Sequence, residues 1–301
     1  MRGLLGWMWV GVFVYIALRL SWSVLRAPAE RRRSLIGKYL VIFAIAYLGT
    51  LGMFLVLERG MIFRPTSVAD GWGVPTDFTP QDVELTLDDG TRIHAWWCPV
   101  PDARGVIHYS HGNAGNLAGR AGIASWLRRR GWSVFLYDYP GFGKSTGRPD
   151  EQNCYAAGLA SYRWLRQEQK VDPEQLILWG KSLGGGVATE LAMQVEHRAL
   201  VLFSPFSSIP DMAQKLFPIF PARWLVRTQF DNATKIKTYR GRLLVGWYDE
   251  DPLVPADQSR LVYELATQAD ERRGEPFPGR IHGAPPEIFV DILTEWYDKL
   301  K

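Results

Sequence analysis

Cysteine is scarce in this chain of 301 residues, and its scarcity excludes two classes of protein. Cys98 and Cys154 are the only cysteines, so the chain cannot form the disulfide framework of a small secreted domain. No Cys and His spacing matches that of a zinc site. The sequence leaves open whether the two cysteines pair.

Charged residues are also few, at 22% of the chain against 47% hydrophobic and 13% aromatic. Such a composition excludes a disordered chain. Residues 1–64 carry nine Lys and Arg against Glu30 and Glu58, a net charge of +7, whereas residues 65–301 carry 26 against 29, a net charge of −3. A nucleic-acid-binding protein keeps positive charge on its folded domain, so we expect no nucleic-acid partner.

The sequence also lacks a complete nucleotide-binding loop. Residues 143–145 and 180–182 both read Gly-Lys-Ser, as a P-loop does at its end, but Asp138 and Gln175 stand where that motif needs glycine. No G-x-G-x-x-G fingerprint is present. Neither ATP nor a dinucleotide is predicted as a cofactor.

Long uncharged segments are present, and they lie at the N-terminus. The nineteen residues Tyr39–Leu57 carry no charge, and as a helix they would be about 28 Å long, close to the hydrocarbon thickness of a bilayer. An earlier segment, residues 3–25, is interrupted only by Arg19, which can reach the headgroups from near the end of a helix. We predict that residues 1–64 form a membrane anchor with two spans, at about 3–25 and 39–57.

Each span has an alternative interpretation. Residues 27–29 read Ala-Pro-Ala, which resembles a signal-peptidase site and would make the first segment a cleaved signal. The second segment could be a buried core helix, which its unbroken length disfavours.

Charge next to the spans predicts their orientation. The connection Arg26–Lys38 holds five Lys and Arg, whereas each outer flank holds two positive groups: Arg2 with the α-amino group on one side, Arg59 and Arg64 on the other. The positive-inside rule then puts the connection in the cytoplasm. Residues 65–301 are therefore expected on the extracytoplasmic side, which is the periplasm in a Gram-negative bacterium. Signal cleavage at Ala29 would invert this orientation.

Residues 65–301 have the pattern of a single α/β domain. The segments 83–87 and 92–100 alternate around Asp88-Asp89-Gly90, which predicts an antiparallel hairpin. Short apolar runs then alternate with helical stretches, which predicts a mostly parallel sheet with helices on both faces. The runs are 105–109, 133–139, 176–179, 199–203 and 243–247, and the helices are about 117–130, 151–168, 183–195, one after Pro255, and 286–300.

The strand 176–179 leads into Gly180-Lys181-Ser182-Leu183-Gly184. This is G-x-S-x-G between a strand and a helix, a context in which a strained turn exposes a nucleophilic serine above the sheet. A tight turn with a capping serine is the alternative. We predict that Ser182 is a nucleophile.

A serine nucleophile needs a base and an acid that orients it, which follow in the order acid, then histidine. His197 would lie about 20 Å away along the helix that the serine begins, so it is interpreted as a solvated residue at the helix end. His282, in a loop before the last helix, is the remaining candidate base. The acid should follow the strand 243–247; we favour Asp251, which starts Asp-Pro-Leu-Val-Pro, and Asp249 competes with it.

Acyl transfer also needs N–H donors for the oxyanion of the tetrahedral intermediate. Residues 110–116 (SHGNAGN) follow the strand 105–109. We predict one donor in this loop, the backbone N–H of Asn113, and a second in the backbone N–H of Leu183.

Several motifs together resemble a known family. HGNAGN, DYPGFGKSTG, GKSLGG, SPFSS, FDN and DPLVP occur in this order between residues 111 and 255. The chain from about residue 60 to 301 resembles the membrane-anchored serine hydrolases of the α/β-hydrolase superfamily that have an HGNxGN oxyanion loop. The resemblance implies that fold, with Ser182, Asp251 and His282 as triad. It implies little about the substrate, because the group contains esterases, thioesterases and lipase-like members.

The resulting hypothesis is a membrane-anchored serine hydrolase that cleaves an acyl ester or thioester without metal or organic cofactor. Residues 208–240 form the only insertion large enough to cap the site, and its apolar side chains suggest a lipophilic acyl substrate, a small molecule or a lipid. Ordinary packing would explain the same side chains. A serine peptidase on the same fold and a non-catalytic membrane scaffold are the alternatives.

Overall fold

The structure is a computed structural model that describes residues 2–300; the side chains of residues 2–10, 12 and 13 lie outside the description. The chain divides into two compact units. One, here called the anchor unit, comprises residues 1–61 and 210–227. The other, the sheet unit, comprises residues 62–209 and 228–301.

The anchor unit contains two long helices, α1 (Arg2–Arg26) and α2 (Ala29–Ile62), joined by a short turn. The Oγ of Ser23 donates to the hydroxyl of Tyr39 at 3.0 Å, and the guanidinium of Arg32 donates to the carbonyl oxygens of Ala27 and Leu25. The two helices therefore form an antiparallel hairpin. The unit also holds most of α6 (Ile209–Leu216) and all of α7 (Ala222–Leu225).

Among the residues described, α2 is the one helix long and apolar enough to cross a membrane. Much of its apolar surface is exposed, as at Leu40 (64%), Ile45 (66%) and Val56 (82%). A signal sequence has the same length and composition. In the first predicted span, 3–25, the side chains of residues 3–10, 12 and 13 lie outside the description, and two membrane spans remain a prediction.

The sheet unit is built on one sheet of eight strands. The strands are β2 (Gln81–Thr86), β3 (Arg92–Cys98), β4 (Gly105–Ser110), β6 (Trp132–Tyr137), β7 (Leu176–Lys181), β8 (Ala199–Phe203), β9 (Arg242–Tyr248) and β10 (Glu271–Phe277). Their order in the sheet is β10-β9-β8-β7-β4-β6-β3-β2, and all neighbours are parallel except β2 with β3 and β3 with β6. The predicted N-terminal hairpin and mostly parallel sheet are confirmed.

Helices pack on both faces of this sheet. The helices of this unit are α3 (Ala121–Arg129), α4 (Glu151–Gln167), α5 (Leu183–Ala192), α8 (Asn232–Ile236), α9 (Ala256–Leu265) and α10 (Glu287–Lys299), with 3-10 turns at Leu117–Arg120 and Pro173–Gln175. Helices α3 and α10 share one hydrophobic core with Ile107, Tyr109 and Trp179 of the central strands. On the opposite face, Trp164 of α4 packs on Phe135 with ring centroids 5.1 Å apart.

The central strands are mostly apolar and are buried along their whole length because both faces are covered. Every residue of β4, β6 and β8 is buried, as continuous apolar runs predict for a parallel sheet. Cys98 and Cys154 are both buried and free. The carboxyl ends of β4, β7, β9 and β10 lie at one edge of the sheet, where ligands of such folds bind.

Candidate active site

The turn after β7 holds Ser182 in an unusual backbone conformation. Its φ and ψ are 53° and −116°, a region that a non-glycine residue rarely occupies. Backbone hydrogen bonds fix the turn: the N–H of Ser182 donates to the carbonyl of Phe203 at 2.9 Å, and the N–H of Gly185 donates to the carbonyl of Ser182 at 2.8 Å. The side chain therefore leaves the strand direction at the start of α5.

The two glycines of the motif are required by close backbone approach. A Cβ on Gly180 would lie 2.3 Å from the carbonyl oxygen of Gly184, and a Cβ on Gly184 would lie 2.0 Å from that of Ser110. Both distances are far inside van der Waals contact. The predicted strand and helix on either side of this pentapeptide are present, as β7 and α5.

The structure brings Ser182, His282 and Asp251 into one hydrogen-bonded chain. The Oγ of Ser182 lies 3.0 Å from Nε2 of His282, and Nδ1 of His282 lies 2.6 Å from Oδ2 of Asp251. Each side chain comes from a loop at the carboxyl end of a different strand: β7, β9 and β10. This geometry is what proton transfer from a serine to an oriented imidazole requires.

Asp251 is built to stay ionised. Its side chain is 1% exposed, and burial alone would raise the pKa of its carboxyl. The hydrogen bond and charge of His282, with the N–H groups of Val254 and Leu253, outweigh burial, so that the pKa lies below its ordinary value. Those two N–H groups donate to Oδ1 at 2.9 and 2.8 Å, which leaves Oδ2 for the imidazole.

Asp249, the competing acid, lies in a different environment from Asp251. It is exposed, and its backbone N–H donates to the carbonyl of Phe277 at 2.9 Å. A single residue, Glu250, thus separates an exposed carboxylate from the buried one beside His282.

The glycine-rich loop after β4 lies beside the nucleophile. A Cβ on Gly112 would lie 3.8 Å from Cβ of Ser182. Leu183 follows the nucleophile as the first residue of α5, where backbone N–H groups have no partner within the helix. The N–H groups of Asn113 and Leu183 are thus carried by the two segments that adjoin Ser182.

Asn113 makes two hydrogen bonds that hold its loop in place. Its side-chain Nδ2 donates to the carbonyl of Ile62 at 2.7 Å, and its backbone carbonyl accepts from the N–H of Arg64 at 2.8 Å. A short parallel pair continues this link, β1 (Arg64–Pro65) with β5 (Ala114–Gly115). The loop is therefore braced by the chain that leaves α2.

Asn116 also holds this loop in place, a role that the sequence alone did not predict. It is 3% exposed, and its Nδ2 donates to the carbonyls of Gly71 at 2.8 Å and Thr66 at 3.2 Å. The second Asn of the HGNxGN pattern was the available signal.

Asp138 also contacts this loop, which the sequence alone did not predict. It is fully buried at the end of β6, and its Oδ1 accepts from the N–H of Leu117 at 2.7 Å and lies 3.4 Å from Nε2 of His111. The hydroxyl of Tyr139 donates to the carbonyl of His111 at 2.7 Å. The DYP motif therefore supports the start and the end of the oxyanion loop.

His94, His108 and His197 have hydrogen-bond partners outside the chain of Ser182, His282 and Asp251. His108 is fully buried with Nε2 2.6 Å from Oγ of Ser161, and burial lowers the pKa of its imidazole to about 3. His94 lies 2.6 Å from Oδ1 of Asp82. His197 differs from its interpretation as a solvated residue: it is half-buried, 2.9 Å from the hydroxyl of Tyr239, and burial lowers its pKa. Tyr239 covers it from a segment far along the chain, which sequence spacing does not reveal.

Within the described part of the chain, no group of three or more His, Cys, Asp or Glu is placed to hold a metal ion. That no cofactor is required remains a prediction.

The α/β hydrolases have a mostly parallel sheet flanked by helices. They carry a serine at a strained turn between a strand and a helix, and an acid and a histidine on later loops. This chain has both features. The comparisons with known proteins agree. The family model described as serine aminopeptidase, S33, matches residues 101–272. The chain belongs to this family, and it is an α/β hydrolase of the esterase/peptidase kind.

Relatives span most of the chain. The uncharacterized protein Rv2307c of Mycobacterium tuberculosis is 36% identical over 217 residues, which are 71% of this chain and 76% of that protein. The uncharacterized protein YfhR of Escherichia coli K12 is 30% identical over 203 residues, 64% of this chain and 71% of that protein.

Solved structures share the fold at lower identity. An esterase of Pyrococcus furiosus superposes with a TM-score of 0.63 at 19% identity, covering 78% of this chain and 98% of the esterase. A puromycin-hydrolyzing peptidase of M. tuberculosis superposes with a TM-score of 0.57 at 18% identity, covering 74% of this chain and 39% of the peptidase.

Proposed function

We propose that this protein is a membrane-anchored serine hydrolase that cleaves acyl esters or thioesters, with Ser182, His282 and Asp251 as its catalytic triad. The observation that carries the proposal is the hydrogen-bonded chain from Ser182 Oγ to His282 Nε2 at 3.0 Å and from His282 Nδ1 to Asp251 Oδ2 at 2.6 Å. A serine hydroxyl is a weak nucleophile, and such a chain activates it.

In the first half-reaction, Nε2 of His282 takes the proton from Ser182 as its oxygen attacks the acyl carbonyl. The N–H groups of Asn113 and Leu183 bind the resulting oxyanion. The carbon–oxygen or carbon–sulfur bond then breaks, and the proton on His282 passes to the departing alkoxide or thiolate. Asp251 stabilises the imidazolium throughout.

In the second half-reaction, His282 takes a proton from water while the water oxygen attacks the acyl-enzyme. Collapse of this second intermediate releases the carboxylic acid and returns the proton to Ser182. No redox step occurs, and the residues on hand supply every proton transfer.

Two features support a lipophilic acyl substrate. Helix α2 has the length and composition of a membrane span, and an uncharged apolar stretch runs from Leu216 to Ala222 within the predicted cap. A hydrolase tethered to a bilayer meets lipids at high local concentration. The proposed location is the extracytoplasmic side, from the charge on the connection between α1 and α2.

A serine peptidase is the second candidate, because the family takes its description from an aminopeptidase. An aminopeptidase has to bind the α-amino group of its substrate, and no sequence feature marks such a site. A non-catalytic scaffold is the third candidate, against which the intact triad and braced oxyanion loop count.

A substrate panel separates these candidates. The purified full-length protein is given p-nitrophenyl esters of two to sixteen carbons, acyl thioesters of matching length, and aminoacyl p-nitroanilides, with Ser182→Ala as control. We expect ester or thioester hydrolysis that rises with acyl length and is absent from the variant. Faster hydrolysis of the anilides would establish the peptidase, and a panel without turnover would establish the scaffold.

A further inference from the structure

Residues 210–227, here called the α6–α7 segment, pack directly on α2 within the anchor unit. The ring of Phe54 lies 4.7 Å from that of Phe217 and 5.3 Å from that of Phe220, and the ring of Tyr47 lies 5.2 Å from that of Phe220. The hydroxyl of Tyr47 also donates to the carbonyl of Ile219 at 3.3 Å. The contact is aromatic, and it extends over two turns of α2.

The position of these contacts along α2 indicates how deep they would lie in a bilayer that α2 spans. Tyr47 and Phe54 both lie inside the uncharged run Tyr39–Leu57. At 1.5 Å per residue they stand about 15 and 5 Å from its C-terminal end. Phe220 contacts both, so any placement of the run across a bilayer carries Phe220 between those depths. Interfacial helices bury their apolar face to about 5–10 Å.

The composition of the α6–α7 segment is compatible with a position about 5–15 Å below the end of the uncharged run. The stretch Leu216–Ala222 carries no charge. Trp224, which follows it, is 85% exposed. An exposed tryptophan is costly in water and typical of the membrane interface.

A polar contact occurs where the run ends. The carboxylate of Glu58, the residue after Leu57, accepts from the backbone N–H of Arg227 at 3.2 Å. Within the segment, the guanidinium of Arg223 donates to Asp211 from Nε at 2.8 Å. Aromatic side chains thus meet α2 along its uncharged run, and the first charged residue after that run makes a polar contact with the end of the segment.

We propose that the α6–α7 segment enters one leaflet of the bilayer beside α2, with the stretch Leu216–Ala222 at the depth of the acyl chains and Trp224 at their boundary with the headgroups. Phe220 and Ala222 are buried in the protein, so membrane lipid covers the surface that Pro218, Pro221 and Trp224 expose. This inference rests on the part of the proposed function in which α2 spans the membrane. It makes the enzyme a protein with two kinds of membrane contact, a span and an inserted surface segment.

Depth-dependent fluorescence quenching tests the insertion. The native cysteines are buried, so a thiol-reactive NBD label reports on an introduced cysteine. Three variants of the full-length chain are compared in phosphatidylcholine vesicles: Trp224→Cys on the segment, Ile45→Cys on α2, and Glu168→Cys on an exposed site of the sheet unit. Quenching is measured with doxyl lipids and with iodide in the water.

We expect the labels at 224 and 45 to be quenched by doxyl lipid and protected from iodide, and the label at 168 to show the reverse. A label at 224 that behaves like the one at 168, while the one at 45 stays in lipid, overturns the insertion and leaves the span intact. Iodide quenching at all three sites overturns both. Fluorophosphonate labelling of each variant reports separately on folding and on the proposed hydrolase chemistry.

Discussion

Ser182 occupies a backbone conformation that costs about 1–3 kcal/mol for a residue with a Cβ. Hydrogen bonds offset this conformational free energy, because the N–H of Ser182 donates to Phe203 and its carbonyl accepts from Gly185. The resulting conformation places Oγ 3.0 Å from Nε2 of His282. Backbone strain at a serine that the fold holds beside a histidine supports the proposal that Ser182 is the nucleophile.

The acid of the triad can be assigned by comparing two asparagine variants. Asp251→Asn should lower kcat by about 10⁴-fold, because an amide in contact with Nδ1 favours the wrong imidazole tautomer. Asp249→Asn is the matched control, and we expect a change of about tenfold or less because its carboxylate is exposed. Steady-state kinetics on one ester substrate gives both ratios; the reverse ranking would move the acid to Asp249.

Chain order was enough to nominate Ser182 and His282, but it left two acids. Asp249 and Asp251 follow the same strand two residues apart, and only the turn in three dimensions decides which one is buried against the imidazole. Asn116 and Asp138 were missed as supports of the oxyanion loop for a related reason. Their partners, Gly71 and His111, lie 45 and 27 residues away along the chain, a distance that local patterns do not bridge.

At the scale of elements, α5 can approach β4 only through a glycine. Gly184→Ala would put a Cβ 2.0 Å from the carbonyl oxygen of Ser110 and 2.6 Å from that of His111, and neither backbone atom can move cheaply. We expect a loss of at least about 3 kcal/mol of stability together with the loss of activity, measured by thermal unfolding and ester hydrolysis.

Gly185→Ala is the control for that substitution. Its Cβ would meet nothing nearer than Cβ of Pro205 at 3.6 Å, which is ordinary contact. Alanine in the helix should be neutral or stabilising by up to about 1 kcal/mol. Equal damage from both variants would mean that helix α5 does not pack on β4 as closely as described.

Packing of α4 on β4 predicts a pH dependence. His108 on β4 is buried and neutral, with a pKa of about 3 against 6.5 when exposed. Since the folded state holds the lower pKa, the contribution of His108 to stability is complete above pH 6.5 and is lost progressively as the pH falls toward 3. Between pH 7.5 and 5 the loss is about 2 kcal/mol.

The variant His108→Gln should isolate this effect, because glutamine can bond Ser161 and does not titrate. Urea unfolding of the full chain at several pH values is expected to show wild-type stability falling relative to the variant by about 2 kcal/mol over that range. Stability differences that stay constant with pH would contradict a buried neutral imidazole.

The central strands were predictable because β4, β6 and β8 are short, mostly apolar runs, whereas the last strand was not. Strand β10 reads ERRGEPF, with neither alternation nor an apolar run. It forms because it pairs in parallel with β9, residue for residue from Glu271 to Phe277, at the edge of the sheet. Pairing that depends on a neighbour cannot be inferred from the strand's own composition.

For the whole molecule, the uneven charge sets a testable topology. Five Lys and Arg between Arg26 and Lys38 predict that the turn between α1 and α2 is cytoplasmic and that the hydrolase domain is extracytoplasmic. Alkaline phosphatase and green fluorescent protein are fused separately after Lys301. We expect the phosphatase fusion to be active and the green fluorescent protein fusion to show no fluorescence. An inactive phosphatase together with a fluorescent fusion would place the domain in the cytoplasm.

Covalent labelling by a fluorophosphonate probe tests the central claim most directly, because the probe reacts with an activated serine and leaves a mass tag on it. Digestion and mass spectrometry of the labelled full-length protein should place the tag on Ser182 alone. Labelling should vanish in Ser182→Ala, fall by orders of magnitude in His282→Ala, and stay near the wild-type rate in His197→Ala. A tag that persists in folded Ser182→Ala, or that maps to another serine, would contradict the assignment of the nucleophile and the mechanism built on it.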